Sequence, residues 1–448
     1  MVQTTTEQSF KSGPAPRTEQ RACLDKQRYT SEQMMAAEWE SVWSRCWLFA
    51  GLASDITEPG DFFLYQLGQE SIVVLRDESG GIGAFYNVCQ HRGNRLLTSN
   101  SGAVTQLACP YHGWRYSLDG QLVEVPDAER FDPRVEAEER SLKNVRVELW
   151  GGLVWINLDP EAAPLDDFLG VVTANLDGYR FQDMVLSAHQ TVALNANWKV
   201  VRDNFLEQYH VDFIHPQHAT MVDCCNSENV LWPYGHSATV VQGYVTDSRY
   251  PLPEEVPEHL QLVLTSLGMT PDKFRGRIDG IREAVQERKR ELAEELGFAH
   301  QNLTDAQLSD VWQYDIFPNT FMTIQAEELW IFGPRPHPTD PNKCFLDKYT
   351  LQIPMEVGSD VARGLSLNPG LCMSRADPRP EHEVFSAEDV IAGLNSMTIT
   401  IDQDIYYLAD MQAGLHSKGF DHATLNVDEI RLQHFHDWVD EWIRLDKG

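Results

Sequence analysis

The stretch VCQHRG at residues 88–93 sets Cys89 and His91 two positions apart, and CPYHGW at 109–114 sets Cys109 and His112 three apart. Neither pair reads as half of a disulfide, which uses no histidine. Neither reads as a catalytic thiol with its base, because such a base comes from elsewhere in the fold. Each short loop instead offers one thiolate and one imidazole, and metal ligation is the chemistry that needs both.

Zinc and iron both suit such a set. Zinc accepts thiolate and imidazole together, but zinc fingers tend to pair Cys with Cys and His with His within one loop. Here both loops are mixed, which suits two irons, one carrying both cysteines and the other both histidines. That is the Rieske [2Fe-2S] arrangement, whose imidazole ligands raise its potential above that of all-cysteine plant-type clusters. A zinc site is the alternative.

The chain has 448 residues, enough for two or three domains, and its 42% hydrophobic and 23% charged content is ordinary for a globular protein. A formal charge of −31 argues against nucleic-acid and anionic-membrane partners, which require a basic footprint. No apolar run reaches membrane-spanning length. The first thirty residues lack a secretion signal, and eight cysteines in this length make no disulfide framework, so the expected compartment is the cytoplasm. Adjacent Cys224 and Cys225 read as ordinary thiols.

Residues 1–28 read as a polar tail, followed by a helix through SEQMMAAEWESVWSRCW with an apolar stripe of Met34, Met35, Trp39, Val42 and Trp43. From about 48 the period changes to two. A hairpin pivots on Gly80 and Gly81, another on Asp119 and Gly120, and both ligand loops are expected at hairpin tips. The resulting division is a tail and helix (1–47) packing on the last domain, an all-β Rieske domain (48–160) and that last domain (161–448). The charged block 271–311 reads as solvated helices. Strands at 314–336 and 343–353 and helices at about 386–415 and the C-terminus make the last domain α+β with an antiparallel sheet.

The second informative stretch is NWKVVRDNFLEQYHVDFIHP, 197–216. On a helix, Glu207 and His210 share a face. His215 lies about 140 degrees round from His210, so the two converge only if the helix distorts or ends.

In order and separation, CQHRG, CPYHGW and NWKVVRDNFLEQYHVDFIHP resemble the alpha (oxygenase) component of the Rieske non-haem iron oxygenases, the ring-hydroxylating family. The likeness runs over nearly the whole chain. It implies a helix-grip (START-like) catalytic fold and a mononuclear Fe(II) held by His210, His215 and one downstream carboxylate. By the family's pattern that carboxylate is Asp404, eight before Gln412. Asp402, about 200 degrees away on a helix, is the rival, and His218 a rival imidazole. The resemblance further assigns catalytic roles to Asn204 and Glu207. Glu207 would link His210 to the cluster ligand His112 of a neighbouring subunit, so that a homotrimer is expected. Dihydroxylating members carry Asp at this bridge, and Glu207 with its tighter spacing is closer to alpha-only monooxygenases and demethylases.

The expected activity is therefore hydroxylation of an aromatic or other hydrophobic substrate with O2. The alternative is monooxygenation or demethylation of a quaternary ammonium or methoxy compound. Without a nicotinamide or flavin fingerprint, electrons come from a separate NAD(P)H-dependent reductase, with or without a ferredoxin. Arg92, Arg95 and Arg115 are candidate docking residues for it, and Phe205, Phe213, Met221 and Phe321 are candidates for the pocket. An electron carrier and a lipid-binding module fused to a zinc domain are the readings from other classes. The carrier needs no second metal site.

Overall fold

The computed structural model describes residues 23–132, 140–355 and 374–445, so residues 1–22 of the expected tail lie outside the described residues. Residues 23–28 are not tail. Cys23–Asp25 pairs antiparallel with His422–Thr424, and the Lys26 ammonium donates to the Ser417 carbonyl at 2.9 Å. The chain divides into two compact units. Ala37–Gly170 is one, and the segment before Ala37 joins the chain from Val171 onward in the other.

The smaller unit is built from three antiparallel sheets. Leu48–Leu52 and Arg146–Trp150 flank Leu153–Asn157. A four-stranded sheet runs in the order Ile82–Tyr86, Glu70–Arg76, Asp61–Leu67, Ser101–Ala103. Its turn at 77–81 is closed by the Asp77 carboxylate, which accepts from the Ser79 and Gly81 amides at 2.8 Å. The third sheet joins Leu107–Ala108, Arg115–Tyr116 and Leu122–Glu124. Gly120, at φ +82, makes the turn before the last of these, and a Cβ there would meet the Phe85 ring at 2.4 Å.

Only one ligand loop sits at a hairpin tip. Residues 109–114 join paired strands, but 89–94 belong to a crossover between Ile82–Tyr86 and Ser101–Ala103, which occupy opposite edges of one sheet. A turn cannot span that distance, so the loop travels over Leu96, Leu107, Trp114 and Tyr116 in the core beneath it.

The larger unit is centred on an eight-stranded sheet. Its order is Val222–Leu231, Ser237–Gly243, Val311–Ile316, Thr320–Ile324, Glu328–Pro336, Cys344–Gln352, Val185–Leu194 and His382–Ser386. Every pairing is antiparallel except the last. Helices Trp198–Phe205, Ile399–Leu415 and Ile430–Leu445 pack against this sheet or one another, giving a mixed α+β architecture. The helical stretch 200–215 is broken, as convergence of His210 and His215 requires. It ends at Phe205, and only the single turn Val211–Ile214 follows before Pro216.

The charged block departs from its solvated reading at Lys289. On the helix Ile281–Leu296 this side chain is 1% exposed, and its ammonium donates to Glu327 at 2.7 Å. Helical spacing turns Ile281, Val285, Lys289 and Leu292 inward together, so the position is buried and the charge needs its partner.

At the sheet edge His189 stacks on His382 at 3.7 Å and on Tyr349 at 4.0 Å. Burial, and then the His382 and Arg379 charges against that of Asp347, push its pKa down to about 3. An unfolded histidine titrates near about 6.5, so between these values the unfolded chain holds the extra proton and stability falls as pH falls. His189→Gln should remove up to about 1.4 kcal/mol per pH unit from that dependence. Urea midpoints of variant and parent from pH 4 to 6.5 measure it, and parallel curves would contradict it.

Candidate functional site

The two Cys–His loops share one backbone plan. The Cys89 amide donates to the Asn94 carbonyl at 2.8 Å, and the Cys109 amide to the Trp114 carbonyl at 2.8 Å. Gly93 donates back to Cys89 and Gly113 to Cys109, both glycines having positive φ. The loops bring their ligands together, with the His91 and His112 rings 4.6 Å apart and the two buried sulfurs within interacting range.

His91 is held by stacking on Trp114, with centroids 5.0 Å apart and planes within 7°, while Phe131 abuts both rings edge-on. Its Nδ1 is buried and has no hydrogen-bond partner among the described residues. A buried nitrogen with a lone pair and no donor fits a metal ligand. Burial, with His112 and Arg92 adding to it, lowers the His91 pKa and favours the neutral ring that ligation requires. Tyr116 completes the surroundings. Its oxygen accepts from the Gln90 amide at 3.0 Å, leaving its proton for Cys89 Sγ at 3.4 Å, and hydrogen bonds to sulfur are one determinant of a cluster's potential.

In the larger unit His210, His215 and Asp404 each offer one ligand atom, all within 4.8 Å of one another. The break in the helix brings them together. Glu207 accepts from the His210 amide at 3.0 Å, closing a turn before Val211–Ile214, and His215, ahead of Pro216, leaves the helical conformation at φ −122, ψ 53. The Glu207 carboxylate also takes His210 Nδ1, and Gln403 Oε1 lies 2.8 Å from His215 Nδ1. Both Nε2 atoms are thereby aimed at Asp404 Oδ1, at 3.7 Å and 3.0 Å. Two imidazoles with outer nitrogens held by acceptors, and one carboxylate, are the donor set of a non-haem Fe(II) facial triad. Burial alone would lower the His210 pKa, but the Glu207 hydrogen bond and charge, with Asp404, raise it.

The rivals are engaged otherwise, although His218 lines the same cavity with its ring 5.6 Å from that of His215. Asp402 accepts from the Met397 amide at 2.8 Å and from the Ser396 hydroxyl, closing the turn into the helix Ile399–Leu415. His218 bonds Thr400 at 3.1 Å, and burial, then His215, push it down to about 4.

The triad opens into a cavity of about 340 Å3. Asn204, Phe205, Met221 and Phe321 line it, with Phe205 stacked 5.0 Å from both Phe321 and Phe332. Phe213 does not. It lies on the outer side of its short turn, 74% exposed. Arg92, Arg95 and Arg115 are exposed, Arg115 pairing with Glu124 at 2.8 Å. Gln403 and Tyr116 were missed. Gln403 neighbours Asp404 on a helix, where adjacent residues diverge, and no pattern flags the tyrosine.

Residues 181–445 match the ring hydroxylating alpha subunit (catalytic domain) family, and residues 46–145 the Rieske [2Fe-2S] domain. The chain belongs to the ring-hydroxylating alpha-subunit family. Its cofactors are accordingly a Rieske [2Fe-2S] cluster and a mononuclear non-haem iron. This alpha subunit is 33% identical over 189 residues to the glycine betaine monooxygenase oxygenase subunit of Pseudomonas aeruginosa, covering 42% of this chain and 44% of that one. The match thus spans less than half of that relative. It is 30% identical over 300 residues to the carnitine monooxygenase oxygenase subunit of Escherichia coli, covering 64% of this chain and 78% of that one. The quaternary ammonium Rieske monooxygenase CntA in complex with L-carnitine shares the fold, with a TM-score of 0.66, 20% identity and coverage of 94% and 96%. Among the described residues no helix is long and apolar enough to cross a membrane.

Asp404→Ala should remove the mononuclear iron and leave the cluster's visible absorption. Asp402→Ala should keep all iron and cost about 1 kcal/mol of stability, as loss of a helix-start acceptor does. Iron analysis beside the visible spectrum distinguishes them, and the reverse pattern would contradict the assignment.

Proposed function

We propose that this chain is the terminal oxygenase component of a Rieske system, taking electrons from a separate reductase and oxidising a quaternary ammonium compound. The observation that carries the reading is the convergence of His210, His215 and Asp404 at the wall of an aromatic-lined cavity. When bound, the cluster supplies an electron and the mononuclear iron the site of O2 reduction.

The chain's own residues prepare that site. Glu207 and Gln403 orient the two imidazoles, and we assign His210, His215 and Asp404 as the iron ligands. Phe205, Phe321 and Phe332 keep water from the wall beside them. Among the described residues that line the cavity there is no lysine or arginine, and the carboxylates are Glu207 and Asp404. An onium head group therefore meets aromatic side chains, Phe205, Phe321 and Phe332 among them, with no lysine or arginine in the lining to repel it. The names of the glycine betaine and carnitine relatives support the same substrate class. The same apolar lining favours a neutral aromatic compound as the second reading.

Glu207 serves as the bridge to a cluster histidine of a partner subunit in this reading, within a homotrimer. Its carboxylate already holds His210, and its side chain retains 12% exposure. His112 lies beside the exposed Tyr111 on the cluster unit.

Glu207→Gln should retain both metal centres yet slow single-turnover product formation at least about tenfold, the loss of about 1.4 kcal/mol of barrier lowering. An unchanged rate would reject the bridge. For the substrate, reduced protein is given isotopically labelled O2 and a panel of trimethylammonium and aromatic compounds. Formaldehyde, or one labelled oxygen in an ammonium product, is expected. Two labelled oxygens in a ring product, with the ammonium compounds untouched, would replace this reading with ring dihydroxylation.

A further inference from the structure

The wall of the cavity contributed by residues 243–263 holds a strained tyrosine beside a buried ion pair. Gly243 ends the strand Ser237–Gly243 where a Cβ would stand 2.1 Å from the Ser309 carbonyl oxygen. Tyr244 follows at φ +59, a left-handed conformation that L residues with bulky side chains rarely adopt. Such strain costs about 1–3 kcal/mol and persists where the surroundings hold it. Here the surroundings are specific. The Lys289 ammonium sits 5.5 Å from the Tyr244 ring centroid, and its hydrogen bond goes to Glu327 at 2.7 Å. His300 Nε2 lies 3.4 Å from the other Glu327 oxygen.

An ammonium can only donate, so Lys289 does not take the phenol proton. Among the described residues no acceptor takes it either. Tyr244 lines the cavity, as Lys289 does not. Its phenol is a hydrogen-bond donor. With no lysine or arginine among the described lining residues, this is a donor fit for a substrate oxygen.

We propose that Tyr244 is a specificity-determining residue that donates its phenol proton to an oxygen acceptor on the substrate, a carboxylate or carbonyl, with Lys289 and Glu327 as its positioning residues. This rests on the reading that the cavity holds the substrate, and it narrows the quaternary ammonium class to members that carry such an oxygen.

The test compares 4-(trimethylammonio)butanoate with butyltrimethylammonium, and 4-methoxybenzoate with 4-methoxytoluene, in the reductase-supported holoenzyme and by calorimetric binding. Tyr244→Phe should raise Kd and KM for the carboxylate member of whichever pair is turned over by about tenfold or more, with kcat within about twofold and the carboxylate-free member unaffected. The paired replacement Lys289→Met with Glu327→Leu leaves no buried charge unpaired and should give the same selective loss. Equal changes for both members, or none, would overturn the anchor while leaving the oxygenase reading intact. Turnover of neither pair by the parent enzyme would overturn both.

Discussion

Three ligand atoms drawn from segments 189 residues apart have to meet within 4.8 Å, and most of the larger unit is arranged around that requirement. An unbroken helix through 197–214 would turn His210 and His215 about 140 degrees apart. The helix instead stops at Phe205, and Glu207 restarts it by accepting the His210 amide. The same carboxylate takes the His210 ring nitrogen, so the group that closes the turn also orients the ligand. On the other side Asp402 fixes the start of the helix that carries Asp404 and Gln403. Gln403 then does for His215 what Glu207 does for His210.

The smaller unit meets a similar requirement with less secondary structure. Two loops of different residue spacing adopt the same pair of backbone hydrogen bonds, and glycine at the same point in each permits the turn. Trp114 then packs one histidine from below, and Tyr116 reaches one sulfur. In both units the ligands themselves are a small part of the site. The groups that orient them are polar or aromatic neighbours whose own positions depend on buried core.

What could be read from the chain was whatever rests on local spacing. Cys89, His91, Cys109 and His112 declare themselves by short mixed loops, and the hairpins at Gly80 and Gly120 by turn residues between alternating strands. Resemblance added His210, His215 and Asp404, and the geometry brings these three together while Asp402 is engaged in closing a turn. Long-range topology was not legible. Nothing local says that Ile82–Tyr86 and Ser101–Ala103 occupy opposite edges of one sheet, so the first ligand loop was misread as a hairpin tip. Charge alone suggested solvation for Lys289, although its helical phase with Ile281, Val285 and Leu292 turns it inward. Phe213 was drawn into the expected pocket by proximity in sequence to His210, yet the broken helix points it outward. Tyr244 carries no signal, because its interest comes from a positive φ and from a partner on a distant helix.

The most direct test of a chain carrying both a Rieske cluster and a separate iron site is the ratio of iron to acid-labile sulfide in the purified holoprotein. A [2Fe-2S] cluster with one further iron at His210, His215 and Asp404 predicts three irons for every two sulfides. On cysteine-to-serine replacement at Cys109, both sulfides should disappear while about one iron per chain remains. Equal iron and sulfide in the intact protein would leave the triad without its metal. Zinc without sulfide would contradict the account of both sites.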